Sequence, residues 1–244
     1  MKDRFSKQAS AYAAFRPTYP KALYDFLVSH VDTRSKAWDC ATGNGQVAKD
    51  LAPYFKEVHA TDISVEQIKK AAAGDNIFYS VCPAEKTPFP DNTFDLITVG
   101  QAVHWFEFDA FYAEVRRVAK KNSVIAMWGY GLLKINPGID VIISDFYVNV
   151  IGRYWDPERR HIDQYYKSIP FPFEEIQSPE FAFSFSWTIS ELEGYLNTWS
   201  SVQKFIQTNE YNPVESLMQR IVPLWKDEKM MVSFPLFMKV GRVT

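Results

Sequence analysis

Residues 37–46, Ala37-Trp38-Asp39-Cys40-Ala41-Thr42-Gly43-Asn44-Gly45-Gln46, constrain the fold of this chain more than any other stretch. A short strand pattern ends in an acid, a tight turn with two glycines follows, and a helical pattern begins near Gln46. Glycine has no Cβ and tolerates positive φ, so such a turn brings bare backbone close to a bound molecule. The spacing Gly43-x-Gly45-x-x-Ala48 satisfies the loose Gly-x-Gly-x-x-Gly/Ala fingerprint of dinucleotide sites. Taken alone, it does not decide between a nicotinamide enzyme and another nucleoside binder.

Two acids narrow the choice. Asp39 stands four residues before the first glycine, and Asp62 closes the next strand, over 58–62. A carboxylate at the mouth of the first strand suits a ligand with cationic groups better than a pyrophosphate, which prefers uncompensated helix N–H donors. S-adenosylmethionine carries an ammonium and a sulfonium and no phosphate. Through Asp39-x-x-x-Gly43-x-Gly45 and Asp62, the chain resembles the class I S-adenosylmethionine-dependent methyltransferases. Its later segments resemble the small-molecule branch that includes trans-aconitate methyltransferase. The resemblance covers nearly the whole chain, close as far as Tyr130 and looser beyond it.

It implies an α/β fold: a seven-stranded Rossmann-like doubly wound sheet with an antiparallel last strand and helical cap insertions. One methyltransferase domain is expected over 1–244. Its parts are an N-terminal lid and helix over 1–35, a cofactor-binding core over 36–132, an aromatic-rich cap with the sixth strand over 133–227, and the last strand over 228–244.

Composition excludes several classes. With 47% hydrophobic and 23% charged residues the chain reads as an ordinary globular protein, and its 244 residues can bury a large core. Its 27 basic and 29 acidic residues leave a formal charge of -2, so no global field draws it to nucleic acid or to an anionic membrane. Met1 to Ser10 is too polar for a signal peptide and no apolar run is long enough to span a bilayer, so a cytoplasmic location is expected. Cys40 and Cys82 have no metal spacing and are expected to stay reduced, and no metal is expected. The 16% aromatic content is high and concentrated late in the chain, which suggests a pocket lined with rings.

Along the chain, Phe15-Arg16-Pro17-Thr18-Tyr19-Pro20 must be extended, because each proline biases its predecessor away from the α region. By resemblance this lid folds over the cofactor and places Tyr12, Arg16 and Tyr19 at the pocket. Pro20 suits the first turn of a helix through Leu23, Phe26 and Leu27. Val47, Leu51 and Phe55 recur at helical spacing, and Ser64 with Gln67 forms a capping box opening a helix to about Ala73. Strands are expected over 77–81, 94–100 and 123–128, with a helix through Phe111, Val115 and Val118 before the last of these. Pro137 opens a helix to about Val150, and the alternating run over 181–187 is the sixth strand. Ser190 caps a helix holding Leu192, Tyr195, Leu196 and Trp199, Pro213 starts another, and 230–243 is the final strand.

The run Ala84-Glu85-Lys86-Thr87-Pro88-Phe89-Pro90-Asp91-Asn92-Thr93-Phe94-Asp95 matches a pattern of the same superfamily. The resemblance assigns Ala84 and Glu85 to the adenine edge of the cofactor. It also adds Asn44, Ile63 and Gln101 to the cofactor set of Asp39, Gly43, Gly45 and Asp62. In an open α/β sheet, ligands sit beyond the carboxyl ends of the strands. Gln101-Ala102-Val103-His104-Trp105 therefore lies where an acceptor would meet the methyl donor. His104 is the catalytic candidate, acting either as a positioning group or as a general base. Trp105, Trp128, Tyr130 and Trp199, with Ser200, are the candidates to line the acceptor pocket.

The expected activity is methyl transfer from S-adenosylmethionine to a small-molecule acceptor, foremost the carboxylate of an organic acid. The alternatives are a quinone-like ring, a nucleic acid, which the near-neutral charge disfavours, or cofactor binding without turnover. A nicotinamide oxidoreductase would want an uninterrupted apolar strand before the glycines, which Asp39 breaks.

Overall fold

The computed structural model of the protein describes residues 18–244. The expected lid residues Tyr12 and Arg16 lie outside them. Pro20, in extended conformation, leads into helix α1 (Lys21–Ser29), which buries Leu23, Tyr24, Leu27 and Val28 at the spacing of an amphipathic helix. Five parallel strands follow: β1 (Lys36–Cys40), β2 (Glu57–Asp62), β3 (Ile77–Val81), β4 (Phe94–Gly100) and β5 (Ala119–Tyr130). Helix α2 (Gln46–Leu51) joins β1 to β2, α3 (Val65–Lys69) joins β2 to β3, and α4 (Phe108–Val118) joins β4 to β5.

The cap is built from α5 (Pro137–Asp145), α6 (Arg160–Asp163), α7 (Ile189–Asn197), α8 (Ser200–Asn209) and α9 (Pro213–Ile221). The short strand β6 (Glu174–Glu175), strand β7 (Phe181–Trp187) and the long β8 (Met230–Val243) complete the sheet. Its order is β3-β2-β1-β4-β5-β8-β6, with β7 also on β8. β8 runs antiparallel to β5, pairing Ser123 with Val243 at one end and Tyr130 with Leu236 at the other.

Two cores cover the sheet. Ala37, Val124, Ala126 and Trp128 point to one, with Leu23, Leu27, Val47 and Leu51 from α1 and α2. Trp38, Ile125 and Met127 point to the other, with Phe111, Val115 and Val118 from α4. The side chains alternate along each strand as the pleat requires, although the strand sequences are apolar on both faces. β1 pairs β2 on one side and β4 on the other, so the order of connection reverses between β1 and β4. A crevice opens there at the carboxyl ends of the strands.

Several boundaries depart from expectation for identifiable reasons. α3 stops at Lys69 instead of reaching 73, because the next residues tie into other parts of the chain. The Ala72 amide donates to the Asn44 carbonyl at 3.1 Å, and the Tyr79 hydroxyl donates to the Ala72 carbonyl at 2.7 Å. The helix from Pro137 does reach Val150, but its last five residues, Phe146–Val150, widen into a π turn. Thr188, not Ser190, caps α7: its hydroxyl accepts the Glu191 amide while the Glu191 carboxylate accepts the Thr188 amide. Trp199 lies outside α7, in the break before α8, a helix for which no expectation is drawn from the sequence. An eighth strand, β6, adds two exposed residues to the seven expected, too few to leave any alternation in the sequence.

Candidate functional site

The turn after β1 is held in a left-handed conformation at Ala41 (φ 55°), Gly43 (58°) and Gly45 (80°). A Cβ on Gly45 would stand 2.2 Å from the Tyr79 hydroxyl, so that close approach is taken by Tyr79. The sequence had reserved this space for a ligand. Gly43 donates its amide to Asp62 Oδ2 at 2.8 Å, and Ser64 donates to Asp62 Oδ1 at 2.8 Å. The carboxylate that closes β2 is therefore fixed in orientation beside the turn, with Ile63 half-buried next to it. Asn44 Oδ1 is buried with no hydrogen-bond partner among the described residues.

Asp39 is 1% exposed and accepts hydrogen bonds from the hydroxyls of Thr42 and Thr98, the latter at 3.1 Å. Burial pushes its carboxyl up to about 7; the Asp62 charge adds to the shift and the two hydroxyls oppose it. It lines a small hollow with Tyr19, Ala41, Thr42, Gln46, Val47 and Gly100. No cationic side chain lines that hollow among the described residues. The donor set fits a ligand that brings positive charge to Asp39, and it lacks the partner that a phosphate would need.

The loop after β3 passes beside the end of β2, where the Cys82 amide donates to the Asp62 carbonyl at 3.1 Å. Ala84 is buried on this loop. Glu85 turns its carboxylate to the start of α4, its Oε1 accepting the Glu107 amide at 3.2 Å. Thr87 is tied to Glu114 through its amide and hydroxyl, and Arg117 donates to the Phe89 carbonyl at 2.7 Å. These bonds hold the loop against α4.

A larger cleft of about 730 Å³, open to solvent, begins where the hollow ends, with Gly100 lining the first and Gln101 the second. Gln101 has a left-handed φ of 56° and clamps the end of β5, its Oε1 accepting the Tyr130 amide at 3.0 Å. A Cβ on Gly129 would lie 2.6 Å from that oxygen, so the clamp requires glycine there. His104, Trp105, Tyr130, Trp199 and Ser200 all line the cleft, as the sequence suggested. Trp128 does not: it is fully buried, edge-on to Tyr19 at 5.5 Å, and supports the wall from behind. Its indole faces the core because β5 alternates, and Tyr130, two residues on, ends the same row at the rim.

His104 is 6% exposed, with Nδ1 3.3 Å from the Tyr166 hydroxyl. Burial, then the positive charges of Arg159 and His161, lower its pKa to about 3. It is therefore neutral at working pH, and titration near 6.5, expected for an ordinary imidazole, is removed.

The cap supplies what the sequence reading missed. Arg159, Trp155, Asp156, Tyr195 and Thr198 line the cleft together with His104. Arg159 Nε donates to the Tyr147 hydroxyl at 2.8 Å, and that hydroxyl donates to Asp163 at 2.6 Å. The guanidinium lies 4.5 Å over the Trp155 ring, and the side chain is 24% exposed. The cation is thus held, stacked and partly shielded from water, at the wall of the cleft that Asp156 also lines. Arg159 sits in a 3-10 turn (Pro157–Arg159) with no periodicity, and only the charge among rings hinted at it.

Residues 38–127 match the family described as methyltransferase domain. A protein of Dictyostelium discoideum named as a methyltransferase is 36% identical, over 98% of this chain and 95% of that one. A ubiquinone/menaquinone biosynthesis C-methyltransferase of Burkholderia cenocepacia is 29% identical over 62% of this chain and 58% of its own length. Among solved structures, a protein of Anaeromyxobacter dehalogenans described as a type II methyltransferase superposes with a TM-score of 0.88 at 35% identity, covering 94% of this chain and 98% of that one.

Proposed function

The chain belongs to the methyltransferases, and from that premise we propose that it moves the methyl group of S-adenosylmethionine onto a carboxylate oxygen of a small organic acid. The observation that carries the reading is the charge arrangement along one crevice: a buried, cation-seeking Asp39 on one side and the anion-seeking Arg159 on the other. A cationic cofactor and an anionic acceptor are thereby drawn to adjoining places.

In this reading Asp39 and the turn over 41–45 hold the amino-acid end of the cofactor, with Tyr19, Asn44 and Gln101 around it. Asp62, already oriented by two backbone amides, accepts the ribose hydroxyls, and Ile63 and Ala84 border the adenine. When bound, S-adenosylmethionine supplies an electrophilic methyl on a sulfonium sulfur. Arg159 holds the acceptor carboxylate through charge-assisted hydrogen bonds. The cleft rings, Trp105, Tyr130, Trp155 and Trp199, exclude water and restrict approach, which is where most of the rate would come from. A carboxylate oxygen forms the new C–O bond as the S–C bond breaks and the electron pair stays on sulfur, so no proton moves and no base is needed. That suits a His104 too weakly basic to serve as one. C-methylation of a quinone-like ring, the chemistry named for the Burkholderia relative, would leave Arg159 without a task.

Calorimetric titration with S-adenosylmethionine, its demethylated product and NAD tests the cofactor. The first two should bind and NAD should not. Binding of NAD alone would overturn the reading.

A further inference from the structure

Tyr165 and Tyr166 are consecutive bulky residues in the left-handed region, with φ of 53° and 59°. Each such residue costs free energy, and the cost persists only where the surroundings demand that conformation. What it achieves is visible at Tyr166: a fully buried ring whose hydroxyl lies 3.3 Å from His104 Nδ1 and 3.5 Å from the Trp128 carbonyl. A carbonyl oxygen can only accept, so with the Tyr166 proton assigned to Trp128 the hydroxyl oxygen is left as an acceptor. That oxygen then accepts from His104, which places the imidazole proton on Nδ1. With Nδ1 committed to the core, Nε2 is left to the cleft as a bare acceptor.

A bare ring nitrogen repels a carboxylate and attracts a donor. In the same cleft, Arg159 engages Tyr147 and Asp163 through its Nε. We propose that the acceptor carries two groups, an anion held by Arg159 and a hydroxyl or amine donor held by His104 Nε2, and that Tyr166 is the positioning residue that sets this preference. The proposal rests on the methyltransferase reading and narrows its acceptor to small hydroxy or amino acids, with an aromatic body matching the ringed walls of the cleft.

Two measurements test it. The ¹⁵N signals of His104 in the free protein should show Nδ1 protonated and Nε2 bare; a protonated Nε2 would overturn the proposal whether or not the cofactor reading holds. Methyl transfer is then followed with benzoate, the three hydroxybenzoates and their methyl esters as probes. At least one hydroxybenzoate should show a KM about tenfold or more below that of benzoate, as the loss of one hydrogen bond predicts, and the esters should not react. Tyr166→Phe should erase that preference by raising the hydroxybenzoate KM while leaving benzoate unchanged, with a melting temperature showing it folded. Equal KM values for benzoate and all hydroxybenzoates would overturn the inference alone. Failure of S-adenosylmethionine to bind would overturn the functional reading, with the ¹⁵N result still deciding the tautomer.

Discussion

At Asp39 one side chain links fold, stability and binding. Its folded pKa of about 7 lies above the ordinary carboxyl value of 3.8, so the folded state keeps a proton that the unfolded state has released. Stability is therefore lost as pH rises from about 4 to 7 and is constant above. The shift corresponds to roughly 4 kcal/mol. Asp39→Asn should remove this loss, melting higher than the parent at pH 8 and close to it at pH 4, while S-adenosylmethionine binding is abolished. A cofactor that needs the ionised form should also bind about tenfold more tightly per pH unit between 5 and 7. For the acceptor, Arg159→Ala should raise KM by about 10- to 100-fold, as expected for losing a charge-assisted bond, and leave cofactor affinity unchanged. An unaltered KM would show that the acid is held elsewhere. Asp39, Asp62, His104 and Tyr130 were legible because each stands at a fixed offset from a strand end. Arg159 was not, because it reaches the cleft from a turn whose place is set only by packing onto Trp155 and Tyr147.

Among the elements, the parallel strands and their crossover helices follow from local pattern, since a period of two and a period of 3.6 are distinct within a few residues. The failures are long-range in origin. α3 ends early because Asn44 and Tyr79 claim the backbone of Ala72, residues distant in sequence. α7 reads as running on to Trp199 because the apolar spacing continues that far, and the break at Thr198 and Trp199 that separates it from α8 leaves no mark in that spacing. The glycine turn gives the sharpest test at this scale. Gly45 combines a φ of 80° with a Tyr79 hydroxyl 2.2 Å from its would-be Cβ. Gly45→Ala should destabilise the protein by about 1–3 kcal/mol, read as a lower urea midpoint. Tyr79→Phe should recover part of that loss by removing the clashing oxygen. No recovery would assign the cost to backbone strain alone.

Across the whole molecule, the sheet supplies an acidic hollow that the sequence announces, and the cap lines the neighbouring cleft with rings, Arg159 and Asp156, which it does not. The same division explains why the family is readable from residues 38–127 while the acceptor has to be argued from side chains that meet only after folding. Transfer of labelled methyl from S-adenosylmethionine to a small acid, followed by mild alkaline hydrolysis, tests the account most directly. A methyl ester formed on a carboxylate held by Arg159 must release the label as methanol, and Arg159→Ala must transfer far less at the same acid concentration. Label that stays on the acceptor through alkali, or transfer that is indifferent to Arg159, would contradict it.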